Sequence, residues 1–245
     1  MTDFEKERHS RTEMLLGEGA AERLGRTRVA IFGIGGVGGY ALEALVRTGV
    51  LNIDVIDADT VSPSNLNRQI IALESTVGRM KTEVARERAL TINSAACIRV
   101  HSCFYSPEDE CDICLSDYDY IIDAIDTVDA KCHLIKRAAE AGVPIISSMG
   151  TGGKTDPTKI KIADIYKTSV CPLARTVRTR LRKMGIKSLR VVYSEEEPRR
   201  AVVEDTHGDR VVHRAPGSIM LVPAAAGLAM AYEVINYLLT EGGKE

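Results

Sequence analysis

The sequence predicts an α/β protein: a Rossmann-like, doubly wound and mostly parallel sheet, extended by antiparallel strands in its C-terminal half. Three observations predict it. Short apolar runs near 28–32, 52–57, 98–103, 120–126 and 143–148 alternate with helical patterns, which is how a parallel sheet with crossover helices reads. The turn after the first run is Gly33-Ile34-Gly35-Gly36-Val37-Gly38, a G-x-G-x-x-G spacing between a strand and a helix. Beyond residue 150 the alternation stops, and further strand patterns appear at 160–165 and 189–193.

Residues 1–25 read as amphipathic helix, with Leu15, Leu16 and Leu24 on the apolar side. The first strand covers 28–32. A helix over 36–48 buries Val37, Ala41, Leu45 and Val46 at helical spacing, and Gly49 ends it. The second strand, 52–57, runs into Asp57-Ala58-Asp59. Pro63, Asn65 and Asn67 make 61–72 a polar loop at the carboxyl edge of the sheet, where ligands bind in such folds. Gly78 opens a helix carrying Lys81, with Val84, Ala85 and Ala89 inside. The third strand follows at 98–103, a short helix at 107–114, and a fourth strand at 120–126 with acids at its end. A helix over 130–141 and a strand over 143–148 complete the alternating part. The turn-rich joint Gly150-Thr151-Gly152-Gly153-Lys154-Thr155-Asp156-Pro157 leads to a strand, a helix over 173–184 and another strand. Residues 195–218 are polar and read as a mobile crossing loop.

The 245 residues suffice for one domain with a real core, a nucleotide-binding part over 1–150 and a C-terminal substrate part over 151–245. A net charge of −2 argues against a generally basic coat for nucleic acid, though not against a local basic face. Charges alternate from Asp3 to Arg11, which predicts no signal peptide. Six cysteines without a regular framework point to a reducing, cytoplasmic setting. The apolar stretch 219–239 is long enough to span a membrane. Glu233, Asn236, Pro223 and its many small residues favour a helix buried against the sheet over membrane association.

The glycine loop supplies the first candidate chemistry. Gly33 allows the tight turn, Gly35 and Gly36 let backbone approach a phosphate, and Gly38 lets helix and strand pack closely. The helix N-terminus adds free N–H groups and a positive dipole end. Asp57 lies where a ribose-binding acid belongs. A nicotinamide cofactor needs no more than this. A nucleoside triphosphate also needs cations, here Arg68 and Lys81, and an acid for magnesium, here Asp126. Singly, these residues read equally well as solvated charges and a helix cap.

With Asp57-x-Asp59, Asn65-Leu66-Asn67-Arg68-Gln69, Lys81 and Asp123-x-x-Asp126 following the glycine loop, the first 150 residues resemble the adenylating superfamily of ubiquitin-activating enzymes, ThiF and MoeB. The resemblance implies roles. The glycine loop and Asp57 hold the adenosine of ATP. Asp59, Asn67, Arg68 and Lys81 contact ribose or phosphates, Asp123 belongs to the binding motif, and Asp126 binds Mg2+. Arg8-x-x-Arg11 resembles an N-terminal arginine pair, which implies a homodimer with Arg11 reaching the partner's ATP. Thr127 departs from the pattern, since many members have Asn there.

ThiF- and MoeB-like members commonly carry two C-x-x-C pairs for zinc, whereas this chain has only Cys111-x-x-Cys114, read as two helix cysteines. The 150–157 joint, Asp164 to Ala174, Arg178 to Arg182, Val192 to Pro198 and Gly217-Ser218-Ile219 instead resemble the tRNA threonylcarbamoyladenosine dehydratases over nearly the whole chain. That resemblance implies ATP-dependent closure of a ring on a modified adenosine in tRNA through an acyl-adenylate. Between Ile165 and Ser194 there are eight basic residues and no acid, a face that suits nucleic-acid phosphates, and the resemblance implies tRNA rather than DNA. Arg175, Arg178 and Arg182 are the candidate tRNA contacts. The competing reading is a solvated helix paired with Glu195 to Glu197. Cys171, before Pro172, is the candidate acyl acceptor if the thiol is exposed. Competing functions are an adenylating enzyme for a ubiquitin-like sulfur carrier, an NAD-dependent oxidoreductase and an inactive scaffold. The general base, a monovalent cation site and sulfur-transfer partners are left open.

Overall fold

A computed structural model describes residues 3–199, 202–204, 210–212 and 216–240. Two helices, α1 (Asp3–Leu16) and α2 (Ala20–Arg26), precede β1 (Arg28–Phe32). Then come α3 (Gly38–Thr48), β2 (Asn52–Ile56), α4 (Lys81–Ile92), β3 (Cys97–His101), β4 (Tyr120–Asp123), α5 (Val128–Ala141) and β5 (Ile145–Ser148). The C-terminal half adds β6 (Ile160–Asp164), α6 (Pro172–Lys183), β7 (Arg190–Ser194), a hairpin of β8 (Val202–Glu204) and β9 (Arg210–Val212), and α7 (Leu221–Thr240).

The main sheet has the order β3-β2-β1-β4-β5-β7-β6. β7 pairs in parallel with β5, and the edge strand β6 runs antiparallel to β7, so the parallel part reaches one strand further than the sequence pattern implied. β1 pairs in parallel with β2 on one side and β4 on the other, and the order in which strands are added reverses there, β2 and β3 extending one way and β4 and β5 the other. That topological switch point is where an open α/β sheet leaves a crevice for a ligand. β1 is buried almost throughout because helices cover both faces: α3, α4 and α7 on one, α5 and the turn before β4 on the other. Each fully buried Ile or Phe there contributes about 1.5–3 kcal/mol. A third apolar cluster joins α5, α6 and β7.

α7 is long and apolar enough to cross a membrane, yet half of that stretch is buried within the protein. It packs on α3 so closely that a Cβ at Gly227 would stand 2.9 Å from the Tyr40 Cβ. Glu233 on its flank is paired with Arg190.

Four local expectations change. Leu15 is 83% exposed while Leu24 is fully buried, so the apolar side of the N-terminal segment belongs to α2 rather than to the end of α1. No helix forms over 107–114. The Ser106 and Asp109 side chains accept backbone N–H groups locally, at 3.2 Å from Glu108 and 2.8 Å from Cys111, which favours turns over helix. Cys111 and Asp112 also adopt positive φ, 57° and 52°. Cys111 is bonded to Cys103, so it is not half of a thiol pair with Cys114. The polar stretch 195–218 contains the hairpin β8–β9, and its residues 200–201, 205–209 and 213–215 lie outside the described ones.

Candidate active site

A cavity of about 630 Å3 opens at the switch point, along the carboxyl ends of β1, β2, β3, β4 and β5. The glycine loop forms one wall. Gly33 has φ 92°, and a Cβ there would stand 2.7 Å from the Ala124 carbonyl oxygen. A Cβ at Gly38 would come within 3.0 Å of the Gly33 carbonyl carbon and closer still to its oxygen. Gly38 therefore fixes the packing of α3 on β1 and does not itself line the cavity, whereas Gly33, Gly35 and Gly36 do.

Asp57 ties this loop to the end of β2. One carboxylate oxygen accepts the Ile34 N–H at 2.7 Å and the other accepts the Asp59 N–H at 2.8 Å. Burial pushes the Asp57 carboxyl above its ordinary value, against the pull of Lys81 and of these two N–H groups. Each oxygen retains lone-pair capacity for a ligand hydroxyl. Lys81, at the start of α4, is 5% exposed and donates to Asp59 at 2.6 Å. Arg68 packs against Gly36 and donates to the Ser64 carbonyl at 2.7 Å. Asp126 is exposed at the far side of the same cavity. Two cations, three acids and a helix N-terminus thus converge on one space.

Two residues expected at the ligand stand elsewhere. Asp123 is fully buried below the cavity, where it accepts from Lys131 at 2.8 Å, Ser147 at 2.6 Å and the Ile125 N–H at 3.1 Å. It holds the segment that carries Asp126 and does not line the cavity. Asn67 also lies off the lining. Its amide donates to the Ser218 carbonyl at 2.8 Å and its oxygen accepts from Arg68 at 3.0 Å, so it straps the polar loop to the approach to α7. Arg11 is exposed on α1 and is not among the lining residues.

The cavity recruits groups the sequence reading passed over. Gln69 and Tyr105 both line it, and the Gln69 Oε1 and the Tyr105 hydroxyl are buried with no hydrogen-bond partner among the described residues. Buried polar atoms are normally paired, so two orphans in one cavity mark where ligand groups belong. Gln69 adjoins Arg68 and was legible from that motif; nothing in the sequence flagged Tyr105. Gly150, Thr151, Gly152 and Leu173 complete the wall and connect it to α6.

On α6, Arg175 and Arg182 are exposed, and the Arg182 guanidinium stands 5.3 Å from the centre of the Tyr166 ring. Arg178 is different. It donates to the Thr168 hydroxyl at 2.7 Å and to the Thr168 and Ile165 carbonyls, bracing the turn before α6. Glu195 and Glu196 do not neutralise the helix. Glu195 pairs with Lys161 at 2.7 Å, and Glu196 accepts from the Thr155 and Asp156 backbone. Cys171 is 3% exposed and packed in the cluster between α5 and α6, which removes the exposed thiol that an acyl acceptor requires.

The sequence model of the ThiF family matches residues 9–245. The chain belongs to the ThiF family. It is 41% identical over 240 residues to a tRNA threonylcarbamoyladenosine dehydratase of Bacillus subtilis, covering 95% of this chain and 94% of the relative. The Escherichia coli dehydratase is 40% identical over 182 residues, 74% of this chain and 68% of the relative. Solved structures of the Escherichia coli enzyme TcdA superpose over the whole chain. Its complex with AMP has a TM-score of 0.88 at 32% identity, and its complex with ATP 0.87 at 31%, each covering 98% of that chain.

Proposed function

We propose that this protein is an ATP-dependent tRNA threonylcarbamoyladenosine dehydratase. One observation carries the reading: Arg68, Lys81 and Asp126 surround the glycine loop in a single cavity, in a chain matched nearly end to end by such dehydratases. A nicotinamide site has no use for that set of charges. The threonyl carboxylate of the modified nucleoside attacks the α-phosphorus of ATP, and pyrophosphate leaves. The resulting acyl-adenylate is attacked by the carbamoyl group of the same side chain. AMP departs with the carboxylate oxygen, a ring closes, and the nucleoside has lost one water.

The protein positions and stabilises. Asp57 and the glycine loop hold ribose and phosphate backbone. Arg68 and Lys81 meet the negative charge that spreads over the phosphates. Asp126 is a hard, exposed oxygen ligand and fits Mg2+, which is commonly held by one or two carboxylates together with substrate phosphates. A bound Mg2+ would neutralise phosphate charge there. Arg11 suits a homodimer in which it reaches the partner's nucleotide. Arg175 and Arg182 suit the tRNA backbone, because α6 runs from Leu173 in the cavity wall to an exposed basic face. The family resemblance alone supports a monovalent cation and sulfur-transfer partners, and neither enters this mechanism.

The test is direct. The protein is incubated with ATP, magnesium and threonylcarbamoylated tRNA, the RNA is digested and the nucleosides are weighed. The modified nucleoside should lose one water as AMP and pyrophosphate appear. Pyrophosphate released only with a small sulfur-carrier protein would favour the competing adenylating activity, and release with neither would sink both.

A further inference from the structure

We propose that the Cys103–Cys111 bond is a reversible thiol–disulfide site that sets the affinity of the cavity for its nucleotide. The proposal rests on the nucleotide reading of the cavity. Cys103 lines that cavity, as do Phe104 and Tyr105 next to it, so one end of the bond is built into the ligand's wall. The other end is Cys111, eight residues on, in a stretch with neither helix nor strand. Both cysteines are half-buried.

Tyr105 links the bond to the ligand. It is 6% exposed, its ring lies edge-on to Phe32 at 4.9 Å, it lines the cavity, and its buried hydroxyl has no hydrogen-bond partner among the described residues. Burial pushes that hydroxyl well above the ordinary phenol range, so it stays a proton donor. A bound nucleotide offers acceptors, and the bond holds the donor in place before the nucleotide arrives. Once the bond opens, 103–111 has more conformations to lose on binding. Cys111 and Asp112, at φ 57° and 52°, are then freed to leave a conformation that L residues adopt only at a cost.

The chemistry balances with a low-molecular-weight thiol. Its thiolate attacks one sulfur of the pair and breaks the Cys103–Cys111 bond, giving a mixed disulfide. A second thiolate displaces the protein sulfur. Two small thiols become one small disulfide, and the protein gains two electrons and two protons as a pair of thiols; the reverse exchange closes the bond.

The experiment equilibrates the full chain with a small thiol or with its disulfide. Peptide mass mapping reads the bond, and calorimetry reads ATP and AMP affinity. The bonded form should bind both nucleotides roughly tenfold tighter, the gain expected from preorganising a binding segment. Cys111→Ser and Cys111→Ala should bind like the reduced protein in either buffer, with melting curves confirming that they fold. Equal affinity in the two states, a difference that survives in folded Cys111 variants, or a bond from Cys111 to Cys114 in place of Cys103 overturns the proposal. If neither state binds ATP, the nucleotide reading falls and the proposal with it; equal binding removes the proposal alone.

Discussion

The Lys81 ammonium stands 2.6 Å from an Asp59 carboxylate oxygen, joining the start of α4 to the loop after β2. The two partners are unequal. The Lys81 side chain is 7% exposed and that of Asp59 is 69% exposed. The cation is fixed in the wall, and the acid is free to turn toward a ligand. Under the proposed function, a triphosphate entering the cavity should compete for the lysine and release the acid for the ribose.

That arrangement separates the two substitutions. Lys81→Ala removes a charge aimed at the phosphates and should lower the rate of pyrophosphate release by roughly 100- to 1,000-fold, the usual loss for one preorganised stabilising donor. Asp59→Asn should chiefly raise the KM for ATP. Steady-state kinetics with saturating tRNA distinguishes the outcomes. A Lys81→Ala enzyme with normal kcat would remove the lysine from the reaction.

Asp123 and Asp126 are three residues apart and should fail in opposite ways. Asp126 is exposed, so Asp126→Asn should leave stability within about 0.5 kcal/mol of the parent while abolishing magnesium-dependent turnover. Asp123→Asn leaves the fully buried Lys131 without its counter-charge and should cost about 3–5 kcal/mol in denaturant melts. A stable Asp123→Asn protein that binds no ATP would restore Asp123 to the ligand site.

Why one acid of this motif was legible and the other was not is a matter of depth. Both follow an apolar strand, and spacing alone puts both at the sheet's carboxyl edge. Asp123 is the last residue of β4 and points into the layer filled by Lys131, whereas Asp126 lies beyond the strand. The seven strands of the main sheet and the glycine loop were readable because buried runs and turn residues act locally. Tyr105 was not, because its ring is placed by packing against Phe32 and His133, which are distant in the chain. Arg178 was misplaced for a related reason: a basic helix face does not reveal which arginine will curl back to carbonyls before the helix.

The glycine loop gives a paired test of crowding. Gly38→Ala drives a methyl into the Gly33 carbonyl, and backbone cannot move aside as a flexible side chain does. It should cost at least about 1–3 kcal/mol and weaken ATP binding, because α3 must shift from β1. Gly78→Ala meets no atom within 4 Å but sits at φ 86°, so its cost should be about 1–2 kcal/mol of backbone strain with ATP binding kept. Chemical denaturation and calorimetry on both variants check the contrast.

Acid sensitivity should centre on Asp54 in β2. Burial by itself pushes its carboxyl up, but hydrogen bonds from Arg28, His101 and Tyr118 more than reverse this and hold it below the ordinary value. The folded state therefore favours the ionised form. The stabilisation is full well above the unfolded aspartate value of about 3.9, and it is lost as pH falls through the depressed folded value. Asp54→Asn should be less stable at pH 7, and its stability should change less than the parent's as the pH drops below 4. Parallel pH-dependent melts would refute this.

The basic face of α6 yields the last prediction. A phosphate contact needs an arginine that is exposed and free of internal carbonyls. Arg175 is exposed on this helix, and Arg182 is exposed while stacked beside Tyr166. Replacing both with Glu should weaken tRNA binding across tRNA species and reduce the salt dependence by roughly two phosphate contacts, with ATP affinity unchanged. Arg178→Glu should behave otherwise. It breaks three hydrogen bonds that brace the turn at 165–168, so it should lower the melting temperature first and affect RNA only through that loss. Filter binding over a salt series, run beside thermal melts, separates the two effects. Unchanged tRNA affinity in the double Glu variant would move the RNA to another face of the protein.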